Sequence, residues 1–166
     1  AVAGYLLYNY GTITDCGYLA YAALCSRLNM AVSATNKPID NVSLFEEFEE
    51  DTLHELADAG IVAFRHSPLY DKPVVYDSVT PSSHEGFHMH CNVRQCQMAV
   101  SYLNKLYQFF IGQNMVKLIK DGTFANSTNQ ILKAVKNAGI INDYEFEIVP
   151  YYSEGHIMIY LVLRTL

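Results

Sequence analysis

The chain has 166 residues, of which 51% are hydrophobic and 13% aromatic, and its formal net charge is −6. This composition predicts one domain with a hydrophobic core and excludes a disordered chain. The acidic balance argues against a nucleic-acid-binding domain, and no apolar run reaches the roughly 20 residues that a membrane-spanning helix needs.

The first half of the chain predicts two helices between short strands. Asp15 is the expected N-cap of an alanine-rich, buried helix that continues to Leu28. A second helix is expected to begin with a capping box, Thr52 to Glu55, and to end at Gly60. Strands are expected at 4–10, 61–65 and 73–79, and ordered loops at 29–42 and 80–86.

Residues 91–114 carry apolar side chains at alternating spacings of three and four, which predicts one long helix. Its apolar face is expected to contain Val93, Cys96, Val100, Leu103, Tyr107 and Phe110. Its polar surface is expected to contain Arg94, Gln97, Ser101, Asn104, Lys105 and Gln108. Gly112 stands where a helix commonly ends. At about 1.5 Å per residue, such a helix spans on the order of 30 Å, so the rest of the chain is expected to pack against it.

After the long helix, residues 115–119 are expected to be helical. A second capping box, Ser127 to Gln130, is expected to open a helix that Gly139 ends. Tyr144, Phe146 and Ile148 alternate with Glu145, Glu147 and Val149, which predicts a strand with one solvent-exposed face. A turn is expected at 153–155, followed by a strand at 156–166. Both faces of that last strand are apolar, so we expect it to be covered on both sides.

Together these elements predict an α+β fold in which the long helix and shorter helices pack on one face of a mostly antiparallel sheet. A single domain is expected over 1–166. The chain begins Ala-Val-Ala-Gly without methionine and stops at Leu166 inside an apolar run. We therefore expect it to be part of a longer polypeptide.

Acidic and basic residues are separated along the sequence. Residues 40–58 hold eight acidic residues and no Lys or Arg, whereas residues 94–136 hold six basic residues and only Asp121 as an acid. Two solvated surfaces would explain this separation, and so would two complementary patches that meet between subunits or on a partner. The candidate interface residues are Glu46, Glu47, Glu49 and Glu50 in the first segment and Lys117, Lys120, Lys133 and Lys136 in the second.

One group of residues has side chains suited to a metal or a nucleophile: His84, His88, His90, Cys91 and Cys96. In an extended segment His88 and His90 lie on the same side, next to Cys91, and zinc accepts such ligands. However, the spacing matches no metal motif, and four cysteines in helical patterns predict reduced thiols in a cytosolic setting. Structural histidines are expected, and the alternative is a small intracellular α+β enzyme or metal-binding module that uses this group.

The sequence contains no glycine-rich phosphate loop and no spacing typical of a nucleophile with its base. No catalytic, cofactor-binding or metal-ligating residue is therefore assigned, and the chain does not resemble an enzyme.

Four segments, in order, resemble the C-terminal part of contractile phage tail sheath proteins. They are the alanine-rich helix followed by SATNKPI (33–39), then LADAGIV (56–62), FIGQ (110–113) at the end of the long helix, and GIINDYEF (139–146) before the last strands. Each motif alone is weak, but together they span nearly the whole chain. The arginine-rich start of the family's long helix is reduced here to Arg94, and 84–96 is unusual.

The resemblance implies a structural protein with no cofactor. Sheath subunits stack as sixfold rings into a helical sheath around an inner tube, and they contact the tail tube, baseplate and tail terminator proteins. They assemble in the host bacterial cytoplasm and belong to the virion tail, and neither nucleic-acid binding nor membrane insertion is expected. Terminal arms add strands to neighbouring subunits, so we expect the strands at 5–10 and 157–166 to lie close to these arms.

The resemblance also implies a role for the two charged segments. The four lysines are expected to face the tube or an acidic neighbouring surface, and residues 43–58 are expected to face a basic one. Exposed charges of this kind are individually weak, which suits contacts that must be exchanged during contraction.

Overall fold

The computed structural model describes residues 5–8, 14–153 and 156–165. Helices and small antiparallel sheets give the α+β fold that the sequence predicts. The chain divides into two compact units, Ala1–Val93 and Arg94–Leu166, and the boundary falls inside the long helix. A single domain over the whole chain stays a prediction. Among the described residues, no helix is long and apolar enough to cross a membrane.

The first unit contains two small antiparallel sheets and short helices. Its elements are β1 (Tyr5–Tyr8), β2 (Thr14–Cys16), α1 (Tyr18–Arg27), β3 (Val42–Leu44), α2 (Glu50–Asp58), β4 (Phe64–Ser67), β5 (Lys72–Val75), α3 (Glu85–His88) and the start of α4 (His90–Gln108). Strand β1 pairs with both β2 and β3, and β4 pairs with β5. The predicted single sheet is therefore divided into smaller ones.

The core of the first unit joins α1 to the short strands. Its buried residues are Ala20, Tyr21, Leu24, Cys25, Ala34, Ile39, Val42, Val62, Phe64, Val75 and Val79. The alanine-rich first helix is thus confirmed, but it is buried on one face only, because Leu19 and Ala23 are exposed. The predicted N-cap is wrong, because Asp15 lies in β2 opposite Leu6. Pairing with β1 keeps this backbone extended, and α1 begins only after Gly17.

The predicted end of the second helix is confirmed at Gly60. Its φ is +72°, and a Cβ at this position would lie 2.3 Å from the carbonyl oxygen of Thr80. Only glycine fits such a left-handed backbone beside another segment.

The second unit contains most of α4, then α5 (Met115–Lys120), α6 (Thr123–Asn137), β6 (Asp143–Tyr151) and β7 (His156–Arg164). The two strands form an antiparallel hairpin in which Asp143 pairs with Arg164 and Tyr151 with His156. The predicted turn at 153–155 includes two residues that lie outside the described residues. A small core consists of Ala99, Val135 and Ile141, with Ile131, Ile140, Tyr144 and Leu163 packed against it.

The long helix is confirmed, but it ends at Gln108 and not near Gly112, and its buried face differs from the predicted one. Buried residues recur every four positions at Gln95, Ala99 and Leu103, whereas Val100 is exposed. Arg94, expected on the polar surface, is only 8% exposed. The apolar pattern missed this face because it selects large apolar residues, whereas two of the buried residues are the polar Gln95 and the small Ala99.

Both predicted capping boxes are wrong, because each helix begins earlier than expected. Helix α2 has Glu49 at its N-cap, so Thr52 lies inside the helix. Helix α6 has Gly122 at its N-cap, so Ser127 is also internal. The hydroxyl of Thr128 donates to the carbonyl oxygen of Phe124, a bond inside a helix rather than at its start.

Candidate functional site

The histidine and cysteine group is engaged in local structure. His84 is the N-cap of α3, where its Nδ1 accepts a hydrogen bond from the backbone N–H of Gly86. Burial raises the pKa of Cys96, the opposite of what a reactive thiolate requires. Among the residues that the structure describes, no group of three or more His, Cys, Asp or Glu side chains could hold a metal ion. The metal-site alternative therefore has no geometric support there.

His90 belongs to a hydrogen-bonded group that the sequence did not predict. The Tyr21 hydroxyl lies 2.7 Å from Ser78 Oγ and 2.7 Å from His90 Nδ1. The His90 backbone N–H also donates to the Ser78 carbonyl oxygen. These bonds join α1 to the first turn of α4 within the first unit, so the role of His90 is structural. A sequence offers no signal for such a group, because its members are distant along the chain.

The four candidate glutamates form one exposed acidic surface in the first unit. Glu46, Glu47 and Glu49 precede α2, and Glu50 is its first residue. Glu50 also lies 3.8 Å from Arg65. Negative charge is favourable at a helix start, so this surface has a local structural explanation.

The four candidate lysines are exposed on two helices of the second unit. Lys117 and Lys120 lie on α5, whereas Lys133 and Lys136 lie on α6. Lys136 Nζ is 2.8 Å from Asp143 Oδ1, so its charge is partly satisfied within the unit.

An ion-pair network closes the open end of the β6–β7 hairpin. Asp143 accepts hydrogen bonds from Lys136 and, at 3.0 Å, from Arg164, and Arg164 also donates to Glu145 at 2.5 Å. The pKa of Asp143 is lowered. The hydrogen bond from Lys136 is the largest cause, and the positive charge of Arg164 also contributes. The end of α6 is thereby connected to both strands of the hairpin.

The two faces of this hairpin have different environments. The inner face consists of Tyr144, Phe146, Ile148, Ile157, Ile159, Leu161 and Leu163, all half-buried. The outer hairpin face contains Glu145, Glu147, Val149, Met158, Tyr160 and Val162, with the pair Asp143 and Arg164 at one end and the pair Tyr151 and His156 at the other. Met158, Tyr160 and Val162 are 42%, 48% and 54% exposed. The expectation that β7 is covered on both sides is therefore not met within one chain.

The segment that joins α4 to α5 is apolar and exposed. Phe109 and Ile111 are 75% and 79% exposed, and Val116 is also exposed. With Lys117 and Lys120 they form what we call the α5 corner. Beside it, a groove of about 400 Å³ is lined by residues that include Val116, Ile119, Ile157 and Ile159. Tyr151 and His156, which pair with each other beside the turn of the hairpin, also line this groove.

The fold is similar to solved subunits of contractile injection systems. A chain of the anti-feeding prophage (AFP) baseplate matches with a TM-score of 0.79 at 13% identity, covering 93% of this chain and 48% of that chain. The contracted PVC sheath complex, an extracellular contractile injection system, gives 0.79 at 11% identity, covering 99% and 51%. The sheath tail protein of Desulfitobacterium hafniense gives 0.69 at 11% identity, covering 99% and 45%.

The chain spans about half the length of these structures. No protein-family model and no curated protein matches the sequence. The resemblance read from the four sequence motifs is thus confirmed at the level of the fold.

Proposed function

We propose that this chain is part of a structural subunit of a contractile tail sheath, corresponding to the family's conserved domain next to the tube. The subunit polymerises around an inner tube and contracts to drive the tube through the host envelope. The observation that carries this proposal is the similarity in fold to chains of sheath structures over 99% of the chain. The ordered sequence motifs support it independently.

In this role the protein performs no catalysis and needs no cofactor, because the work of contraction comes from a change in how subunits pack. Its partners are other copies of itself, in hexameric rings and a helical sheath, with the tail tube, baseplate and tail terminator proteins. It assembles in the host cytoplasm and resides in the tail. The exposed and separated charges of the two units suit contacts that are exchanged between states.

We also propose that Lys117, Lys120 and Lys133 face the tube or an acidic neighbouring surface. The acidic surface before α2 faces a basic one. Lys136 belongs to the same set, but its bond to Asp143 makes it the member least available to a partner. Reversing all four lysines is expected to impair assembly and to change its dependence on salt. Unchanged assembly and salt dependence would contradict this assignment.

Strands β1 and β7 are proposed to lie close to arms that are exchanged between subunits, but of these two only β7 has an open edge, because β1 pairs with both β2 and β3. Among the described residues, the β6–β7 sheet has only two strands, so each strand has an open edge on which another chain can pair. Hydrogen exchange in the free and polymerised protein tests this. We expect slower exchange in β7 after polymerisation, and equal protection in both states would count against it.

The proposed function is tested by negative-stain microscopy of the full-length polypeptide. We expect tubular polymers, whereas a protein that stays monomeric at all concentrations would contradict the sheath role. Metal analysis of the same preparation addresses the alternative, because a stoichiometric metal would favour a module built on His88, His90 and Cys91.

A further inference from the structure

We draw no further inference here: the strongest candidate, the apolar groove beside the α5 corner in the second unit, carries none because nothing in the described part of the chain shows what covers it.

Discussion

The two hairpins of the molecule differ in how completely their own chain buries them. In the first unit, Phe64 of β4 and Val75 of β5 are almost fully buried. In the second unit, β6 and β7 are longer, yet one apolar face of β7 remains exposed. The first hairpin is thus stabilised by its own core, whereas the second leaves apolar side chains of one face exposed on its own chain. Stability and assembly are expected to respond to different mutations.

The largest effect on folding is expected in the buried β4–β5 hairpin. Phe64→Ala removes one of the largest fully buried side chains and leaves a cavity, so we expect the free energy of unfolding to fall by about 3–5 kcal/mol. Chemical denaturation measures this. A loss below about 1 kcal/mol is on the scale of an exposed substitution. It would show that the chain buries the first hairpin no more completely than the second.

A smaller loss is expected where a buried hydroxyl loses its partner. Tyr21→Phe keeps the ring but removes the hydroxyl that contacts Ser78 Oγ and His90 Nδ1. Ser78 is buried, so its hydroxyl is left unsatisfied in this variant. We expect the free energy of unfolding to fall by about 1–3 kcal/mol. The control is Tyr18→Phe, which changes an exposed tyrosine. Equal melting temperatures for the two variants would contradict the structural role of this group.

The ion-pair network should make the stability of the second hairpin depend on pH. The pKa of the Asp143 carboxyl is lowered in the folded chain, so its stabilising effect is present above the ordinary pKa of about 3.9 and is lost as the pH falls through the lowered value. Asp143→Asn is therefore expected to lower the melting temperature at neutral pH.

Below the lowered pKa, the variant and the unaltered protein are expected to melt alike, because both then lack the charge. The pair is exposed, so the neutral-pH difference should be small and should decrease with added salt. A difference that grew towards acidic pH would have the wrong sign and would exclude this network as its source.

The smallest effect on folding is expected on the outer hairpin face. Val162→Thr changes an exposed side chain and is expected to alter the free energy of unfolding by less than about 0.5 kcal/mol. The same substitution at Val75, which is fully buried, places a hydroxyl in the core and is expected to cost about 1–3 kcal/mol. Similar losses at the two valines would remove the difference between the hairpins.

The sequence predicted the elements that depend on local chemistry. Glycine ends α2 and α6, and Gly60 and Gly139 both have the left-handed backbone expected of helix ends. Alternation of apolar and acidic residues located β6, where Glu145 and Glu147 are exposed. These predictions succeeded because each pattern reports a backbone requirement or a face of one element.

The predictions that failed depended on contacts distant in sequence. Asp15 has a side chain typical of a helix N-cap, but pairing with β1 holds it in a strand. The buried face of α4 contains Gln95 and Ala99, which hydropathy does not select. Exposure of the outer hairpin face could not be predicted either. The sequence of a strand that is apolar on both sides does not show whether its own chain or another copy covers it.

The most direct test of the account is a helical cryo-EM reconstruction of the polymer formed by the full-length polypeptide. We expect a tubular array in which this domain lines the inner surface. A polypeptide that forms no tubular array under any assembly condition would contradict the central claim that this chain is part of a sheath subunit.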